Sequence, residues 1–462
     1  MKKYIGSKDF YKKMLLVMIP ILVQNLITSF VNLLDNIMVG QIGTEPMSGV
    51  AIVNQLLFVF NLCIFGGLAG AGIFSAQFYG NKDEEGVQYT FRIKNYIALI
   101  FVVVSGAALM LFSDMLISLF LHEGDGSLNL ASTMGYAKEY LSVMYFGLLP
   151  FAAVQSYAST LRETGETMLP MKAGLTAVFL NMVLNYILIF GKLGIPALGV
   201  RGAAIATVIS RWVEFLIVVV WTHRHTEKNR FIVGAYRSLY VPAGLLRQVC
   251  ISGAPPLLNE FLFSMGLTVM NQCYSTKGLE VVSAVNISST VWNLFMCVFF
   301  AMGSAVSIMV GQQLGSGDLE GAVDTDRKLI AFSVALGVVI GAVMFLLAPL
   351  IPAIYNTTDT VKHLAAIFLE ICAVLVPVHA FNNCAYFTLR SGGKTIVTFI
   401  FDSCYLWVVS IPAVYLLARL TDLPIIPIYF VGQITDLLKI FTGVYLLRKR
   451  TWVNNLSSAN AK

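Results

Sequence analysis

Gln77-Phe-Tyr-Gly80-Asn-Lys-Asp83-Glu-Glu85-Gly86 recurs, much later in the chain, as Gln312-Gln-Leu-Gly315-Ser-Gly-Asp318-Leu-Glu320-Gly321. The glutamine, both glycines, the aspartate and one glutamate coincide at a single offset. The same offset pairs Pro20 with Pro255, Ser29 with Ser264, Asn36 with Asn271, Gly43 with Gly278 and Ile52 with Ile287. A second turn, Leu161-Arg162-Glu-Thr-Gly165, returns as Leu389-Arg390-Ser-Gly-Gly393 at a slightly shorter offset, which fits shorter outer loops in the second half. The chain is two copies of one design.

Outward from these turns, both copies are largely apolar. Of 462 residues, 57% are hydrophobic and 12% charged, with a mean hydropathy of +0.77. A soluble chain could not solvate such a surface, so this is an integral membrane protein. Apolar runs long enough to cross a bilayer fall at 14–39, 51–79, 95–120, 135–161, 169–190, 203–221, 249–274, 282–311, 329–355, 361–389, 396–417 and 425–447. They are too long for barrel strands and do not alternate as strands would. The fold class is therefore an all-α integral membrane protein with twelve transmembrane helices in two six-helix repeats. Six is even, so both repeats enter the membrane in the same direction. Such parallel repeats place the transport pathway between the halves. The expected organisation is an N-lobe over 1–222, a linker over 223–247 and a C-lobe over 248–462. The linker is the natural hinge, with 231–246 an amphipathic segment on the membrane surface.

Lys and Arg crowd the N-terminus (Lys2, Lys3, Lys8, Lys12, Lys13), the loops after even-numbered helices (Lys82, Arg92 and Lys94 after the second) and the C-terminus. Both termini are therefore cytoplasmic, in a multi-pass protein of the plasma (inner) membrane. The net charge of +6 reflects this asymmetry and implies no nucleic-acid partner. The first apolar run is too long for a signal peptide and no small-residue cleavage site follows it, so it reads as a retained span. All seven cysteines fall in apolar segments without metal-ligand spacing and read as free packing thiols. There is no nucleotide-binding lysine loop, zinc motif or nucleophile elbow. The chain reads as a monomer without cofactor, and not as an enzyme.

Against that background Asp35 stands out. A charged side chain near the centre of a membrane costs at least roughly 2.5–3.5 kcal/mol, and such residues usually handle ions or protons. Asn181 and Asn185, at i and i+4 on the fifth helix, and Thr207 on the sixth share its depth. A carboxylate, two amide carbonyls and a hydroxyl form a hard oxygen set suited to Na⁺. The same carboxylate, out of water, can instead carry a proton. Arg211 and Glu214, and in the second half Asp436 and Lys439 with signs reversed, are spaced to neutralise each other as structural pairs. A second polar group, Glu260, His379 and Asp402, lies in the inner to middle part of the membrane and is the candidate substrate-binding set. Pro20, and Pro255 with Pro256 just before Glu260, are candidate hinges, because proline kinks a helix and frees backbone carbonyls.

The motif Leu34-Asp35-Asn36-Ile37-Met38-Val39-Gly40, the Gln-x2-Gly and Leu-Arg-x2-Gly turns in each half, and Gly202-Ala203-Ala204-Ile205-Ala206-Thr207 resemble the multidrug and toxic compound extrusion (MATE) family over nearly the whole chain. The resemblance implies a V-shaped pair of six-helix lobes around a central cavity, and export of cationic or amphipathic drug-like compounds against inward Na⁺ or H⁺. It also implies an N-lobe cation site at Asp35, Asn181, Asn185 and Thr207. Some members carry Asp where this chain has Asn185, which leaves Asp35 as the principal switch. In one branch a helix-10 carboxylate falls where this chain has His379, while Glu260 resembles that branch's helix-7 acid. The alternative function is a flippase for lipid-linked saccharides within the same broader superfamily.

Overall fold

The computed structural model describes residues 4–119, 130–355 and 357–457; the side chains of 31–34, 36 and 37 fall outside that description. Twelve long helices follow one another: α1 Lys8–Gly40, α2 Thr44–Gly80, α3 Glu84–Ser118, α4 Leu130–Glu163, α5 Met168–Phe190, α6 Gly199–Arg224, α7 Ala243–Ser275, α8 Leu279–Ser316, α9 Leu319–Ala353, α10 Asp359–Ser391, α11 Thr395–Leu420 and α12 Ile425–Arg448. Among the described residues, eleven have the length and apolar composition to cross a membrane. The other, α7, is equally long at 33 residues but more polar, carrying Asn259, Glu260, Asn271 and Gln272. In hydrocarbon each backbone N–H and C=O must be paired within its own segment, and the helix is the open-ended structure that achieves this.

Several helices outrun their apolar cores. At 35 and 38 residues, α3 and α8 are roughly 50–57 Å long at 1.5 Å per residue, against about 30 Å of hydrocarbon. Residues expected in loops therefore lie on helices. Lys94 and Arg92 belong to α3 and are 0% and 7% exposed. Lys94 Nζ lies 2.5 Å from Glu163 Oε2 and 3.1 Å from Thr160 Oγ1 on α4. Lys94 thus joins two helices, and Arg92 ties α3 to the segment after α6.

The chain divides into two compact units. Unit N comprises Val23–Ser75 and Asp83–Val249; unit C gathers Met1–Leu22, Ala76–Lys82 and Cys250–Lys462. Two helices change unit along their length, α1 just after Pro20 and α2 near its C-terminal end. In unit N, α4 and α5 pack on α6, and α3 packs on α4, around a core that includes Val53, Ile64, Leu141 and Ala204. The segment after α6, expected as an amphipathic stretch, is mostly irregular. It forms one short 3-10 turn, Arg230–Ile232, with Phe231 and Ile232 buried. Arg92 then donates to the carbonyls of Ala235 (2.8 Å), Gly234 (3.2 Å) and Tyr240 (3.0 Å). The Phe91 ring meets Phe231 edge-on at 5.3 Å. Phe231 thus packs on α3, while Val233, Tyr236, Leu239 and Tyr240 stay exposed.

In unit C, α10 is central and packs on α8, α9 and α12. The start of α1, with Met14, Val17, Met18 and Ile21, joins the core built around Ala301, Val306, Cys384 and Leu389. Both copies of the Gln-x2-Gly turn lie here and explain their own recurrence. A Cβ on Gly80 would stand 1.9 Å from the Gln312 carbonyl oxygen, and one on Gly315 would stand 1.9 Å from that of Gln77. Each glycine admits the backbone of the other copy's glutamine, so α2 and α8 cross through a reciprocal contact that no side chain could enter. The acid that follows caps the next helix: Asp83 accepts from Gly86 N at 2.8 Å and Asp318 from Gly321 N at 3.0 Å. The tail after α12 folds back on this crossing. Leu456 N donates to Gln77 Oε1 (2.6 Å), Asn455 Nδ2 to the Gly315 carbonyl (3.1 Å), and Trp452 is 1% exposed.

Candidate functional site

Two polar clusters interrupt the apolar interior, one in each unit. In unit N the four oxygen-bearing residues of the predicted cation site are in contact. Asn185 Nδ2 donates to Asp35 Oδ1 at 2.6 Å. The Asn181 amide, with its nitrogen toward Asp35, donates to both carboxylate oxygens at 3.1 Å and accepts from Thr207 Oγ1 at 3.2 Å. Helix geometry makes this contact: i, i+4 spacing stacks Asn181 over Asn185 on one face of α5. Neighbouring α6 meets that face because Gly202 lets it approach closely; a Cβ there would be 2.7 Å from the Leu188 carbonyl. Asn181 and Asn185 are buried, at 6% and 1% exposure, whereas Asp35 and Thr207 are half-buried. Among the described residues no Lys or Arg forms an ion pair with Asp35, and the buried Asn185 Oδ1 has no hydrogen-bond partner. The cluster thus offers a carboxylate without a tethered counter-charge, and a free carbonyl oxygen beside it.

Tyr140 and Asn54 complete this cluster and were not anticipated. The Tyr140 hydroxyl faces Thr207 and Asp35 and lies 3.5 Å from Asn54 Oδ1. Tyr140 is one of four tyrosines in α4 and gives no sequence signal of its own, because its partners come from other helices. One turn further along α6 than Thr207, Arg211 NH1 pairs with Glu214 Oε2 at 3.0 Å; the arginine is 36% exposed and the acid 5%. The predicted hinge prolines are interior to long helices, Pro20 in α1 and Pro255 with Pro256 in α7.

In unit C two of the three residues read as substrate contacts, His379 and Asp402, form one network with Asp436 and Lys439, read as a separate structural pair. Lys439 Nζ lies 3.1 Å from Asp436 Oδ1 and 3.5 Å from Asp402 Oδ1. Asp436 Oδ2 in turn faces His379 Nδ1 at 3.5 Å, and the His379 ring meets Trp292 at 4.8 Å. Asp402 sits in a π-helical turn, Ile400–Cys404, of α11. Such a widened turn often occurs at functional positions. Asn259 on α7 bridges it, donating to Asp402 Oδ2 at 3.0 Å and accepting from Ser403 Oγ at 2.7 Å. The sequence reading passed over Asn259 for its neighbour Glu260. Glu260 is half-buried, and among the described residues no hydrogen bond or ion pair joins it. The three expected substrate contacts are therefore unlike one another: Asp402 and His379 are already engaged, and Glu260 is not.

The profile of the MatE family matches residues 20–187 and 255–416, one segment in each repeat. The chain is similar to a protein named probable multidrug resistance protein NorM from Thermotoga maritima, with 26% identity over 444 residues, 95% of this chain and 92% of that one. Its similarity to the NorM of Halalkalibacterium halodurans is 27% over 439 residues, covering 92% of this chain and 91% of that one. Among solved structures it shares its fold with a MATE protein in the bent conformation, at a TM-score of 0.87, 20% identity and 98% coverage of both chains. It is also similar in fold to the Vibrio cholerae transporter VcmN in the bent form, at a TM-score of 0.84 and 18% identity, over 98% of this chain and 100% of that one. With two matched repeats, twelve helices and whole-length likeness in both sequence and fold, the chain belongs to the MatE family of membrane efflux transporters.

Proposed function

We propose that this chain is a secondary multidrug exporter of the plasma membrane, moving cationic or amphipathic compounds outward in exchange for Na⁺ or H⁺ bound at Asp35. The relatives' names, multidrug resistance proteins, support a drug-like substrate, and the unit N cluster supports the coupling chemistry. The observation that carries the reading is the Asp35 carboxylate, held by two buried asparagines, without a basic partner among the described residues, beside a carbonyl oxygen that has none either. A carboxylate kept from water in that state gains from a small cation or a proton.

The account assigns unequal parts to the two units. Cation binding at Asp35 removes a charge from the second half of α1. That half belongs to unit N, and Pro20 lies just before the point where the helix passes from one unit to the other. Proline interrupts the helix hydrogen-bond ladder, so Pro20 is the proposed bend, with Pro255 and Pro256 its counterparts in α7. On the unit C side Glu260 is the proposed contact for a lipophilic cation, because no hydrogen bond or ion pair joins it among the described residues. Exchange requires that cation and substrate favour different states of the transporter; equal affinity for both states would move nothing. Resistance in a drug-sensitive host tests the reading. The wild-type chain protects, and Asp35→Asn, expressed to the same level in the membrane, does not. Undiminished resistance in that variant would overturn it.

A further inference from the structure

The two polar clusters differ in one respect that bears on ion stoichiometry. Unit C holds two carboxylates, Asp402 on α11 and Asp436 on α12, converging on one point, and that point is occupied. The Lys439 ammonium stands there at 3.5 Å and 3.1 Å from the two acids, with the Tyr405 ring 5.1 Å below it. The lysine is 7% exposed, whereas the acids are 25% and 23% exposed, so the cation lies deeper than its anions. In the first repeat the Arg211–Glu214 pair is buried the other way round, with the acid 5% and the arginine 36% exposed. The acid of the unit N cluster, Asp35, has no such tether among the described residues.

We propose that Lys439 is a resident cation: its ammonium fills a two-carboxylate site for a monovalent cation in unit C and keeps that unit out of ion exchange. An ammonium and Na⁺ or K⁺ carry the same charge and satisfy the same carboxylate oxygens. A covalently attached one outcompetes free ions through its high effective concentration and cannot leave down a gradient. The neutral partners fit an occupied site. Asn259 takes the second oxygen of Asp402, His379 faces that of Asp436, and the aromatic face adds cation–π attraction. The consequence for exchange, one coupling cation per cycle taken at Asp35, rests on the function proposed above; the occupied site does not.

The test uses the purified full-length chain in detergent, with Asp35→Asn as background so that the unit N site is silent. The thermal unfolding midpoint is followed as choline is replaced by Na⁺, K⁺ or methylammonium at constant ionic strength. The background protein shows no shift. Adding Lys439→Ala gives a saturable rise of several degrees with at least one of these cations, as binding to the native state requires. A third change, Asp402→Asn, removes the response. A monodisperse Lys439→Ala protein indifferent to all three cations would overturn the proposal. If that variant is recovered only in poor yield, the yield of monodisperse protein is to rise when methylammonium or Na⁺ is present throughout solubilisation. A yield that no cation restores would overturn it equally. A cation-dependent shift in the Asp35→Asn background that Asp402→Asn removes would also contradict the proposal, since it would mean that an open cation site persists beside Lys439.

Discussion

Asp35 and Lys439 are the same problem solved in opposite ways. Each unit buries carboxylate in an apolar bundle. Unit C neutralises its acids with a lysine of its own, linked to Asp402 and Asp436. Unit N surrounds its acid with neutral amide and hydroxyl groups and, among the described residues, leaves an acceptor unused. A carboxylate with a built-in counter-ion is stable in every state and reports nothing about ion gradients. One that lacks it must acquire a cation from outside or remain costly. The difference teaches that two repeats with one fold need not share one task.

The comparison can be broken most severely at Asp35. Asp35→Asn is expected to abolish gradient-driven transport while leaving the unfolding midpoint near that of the wild type, since an amide can still hydrogen-bond Asn185. A variant that loses folding along with transport would place Asp35 among structural residues. Lys439→Met should do the reverse. It leaves two partly buried acids unpaired, and breaking a buried pair costs about 3–5 kcal/mol; the partial exposure of the acids puts the expectation near the lower end. Thermal denaturation in choline medium checks it. The Lys439→Met, Asp402→Asn double variant should recover part of the loss, and no recovery would show that packing, and not charge, is at stake.

Asn185→Ala sharpens the picture within unit N. It removes a hydrogen bond to a charged acceptor, worth about 1.5–3 kcal/mol, together with the unpartnered carbonyl. The cation concentration for half-maximal transport should rise about tenfold or more, with the maximal rate less affected. An unchanged concentration dependence would remove Asn185 from the site. His379→Gln is the smallest expected effect. His379 touches the outer edge of the unit C network through Asp436, so its replacement should change stability by under about 1 kcal/mol and leave the coupling ion unaltered. A switch in ion dependence on that change would move coupling chemistry into unit C.

Much of this could be read from residues in order. The twelve apolar runs and the Gln-x2-Gly and Leu-Arg-x2-Gly repeats give the helix number and the duplication, because hydrocarbon permits few alternatives to the helix. Depth could be counted along each helix, which is how Asp35, Asn181, Asn185 and Thr207 came to one level. Rotation about the helix axis could not be counted in the same way. Hence Asp402 and His379 read as free contacts, although the structure ties them to Lys439 and Asp436, and Asn259 went unnoticed beside Glu260. The helix ends were also hidden, because Arg92 and Lys94 look like loop residues until Ala235 and Glu163, far away in sequence, are seen to receive them. The linker's amphipathic pattern shows that one face is covered; that Phe231 and Ile232 lie on that face required coordinates. The recurring glycines were legible as a pattern, but their cause, the carbonyls of Gln312 and Gln77 pressed against Gly80 and Gly315, required coordinates.

The central claim is that coupling resides at Asp35 and in unit N alone. Substrate flux in proteoliposomes tests it most directly, with an inward Na⁺ gradient and an inward pH gradient imposed one at a time on wild-type and Asp35→Asn protein. The account predicts that one of the two gradients drives wild-type transport and that neither drives the variant. Gradient-driven flux at the wild-type rate in Asp35→Asn would contradict it.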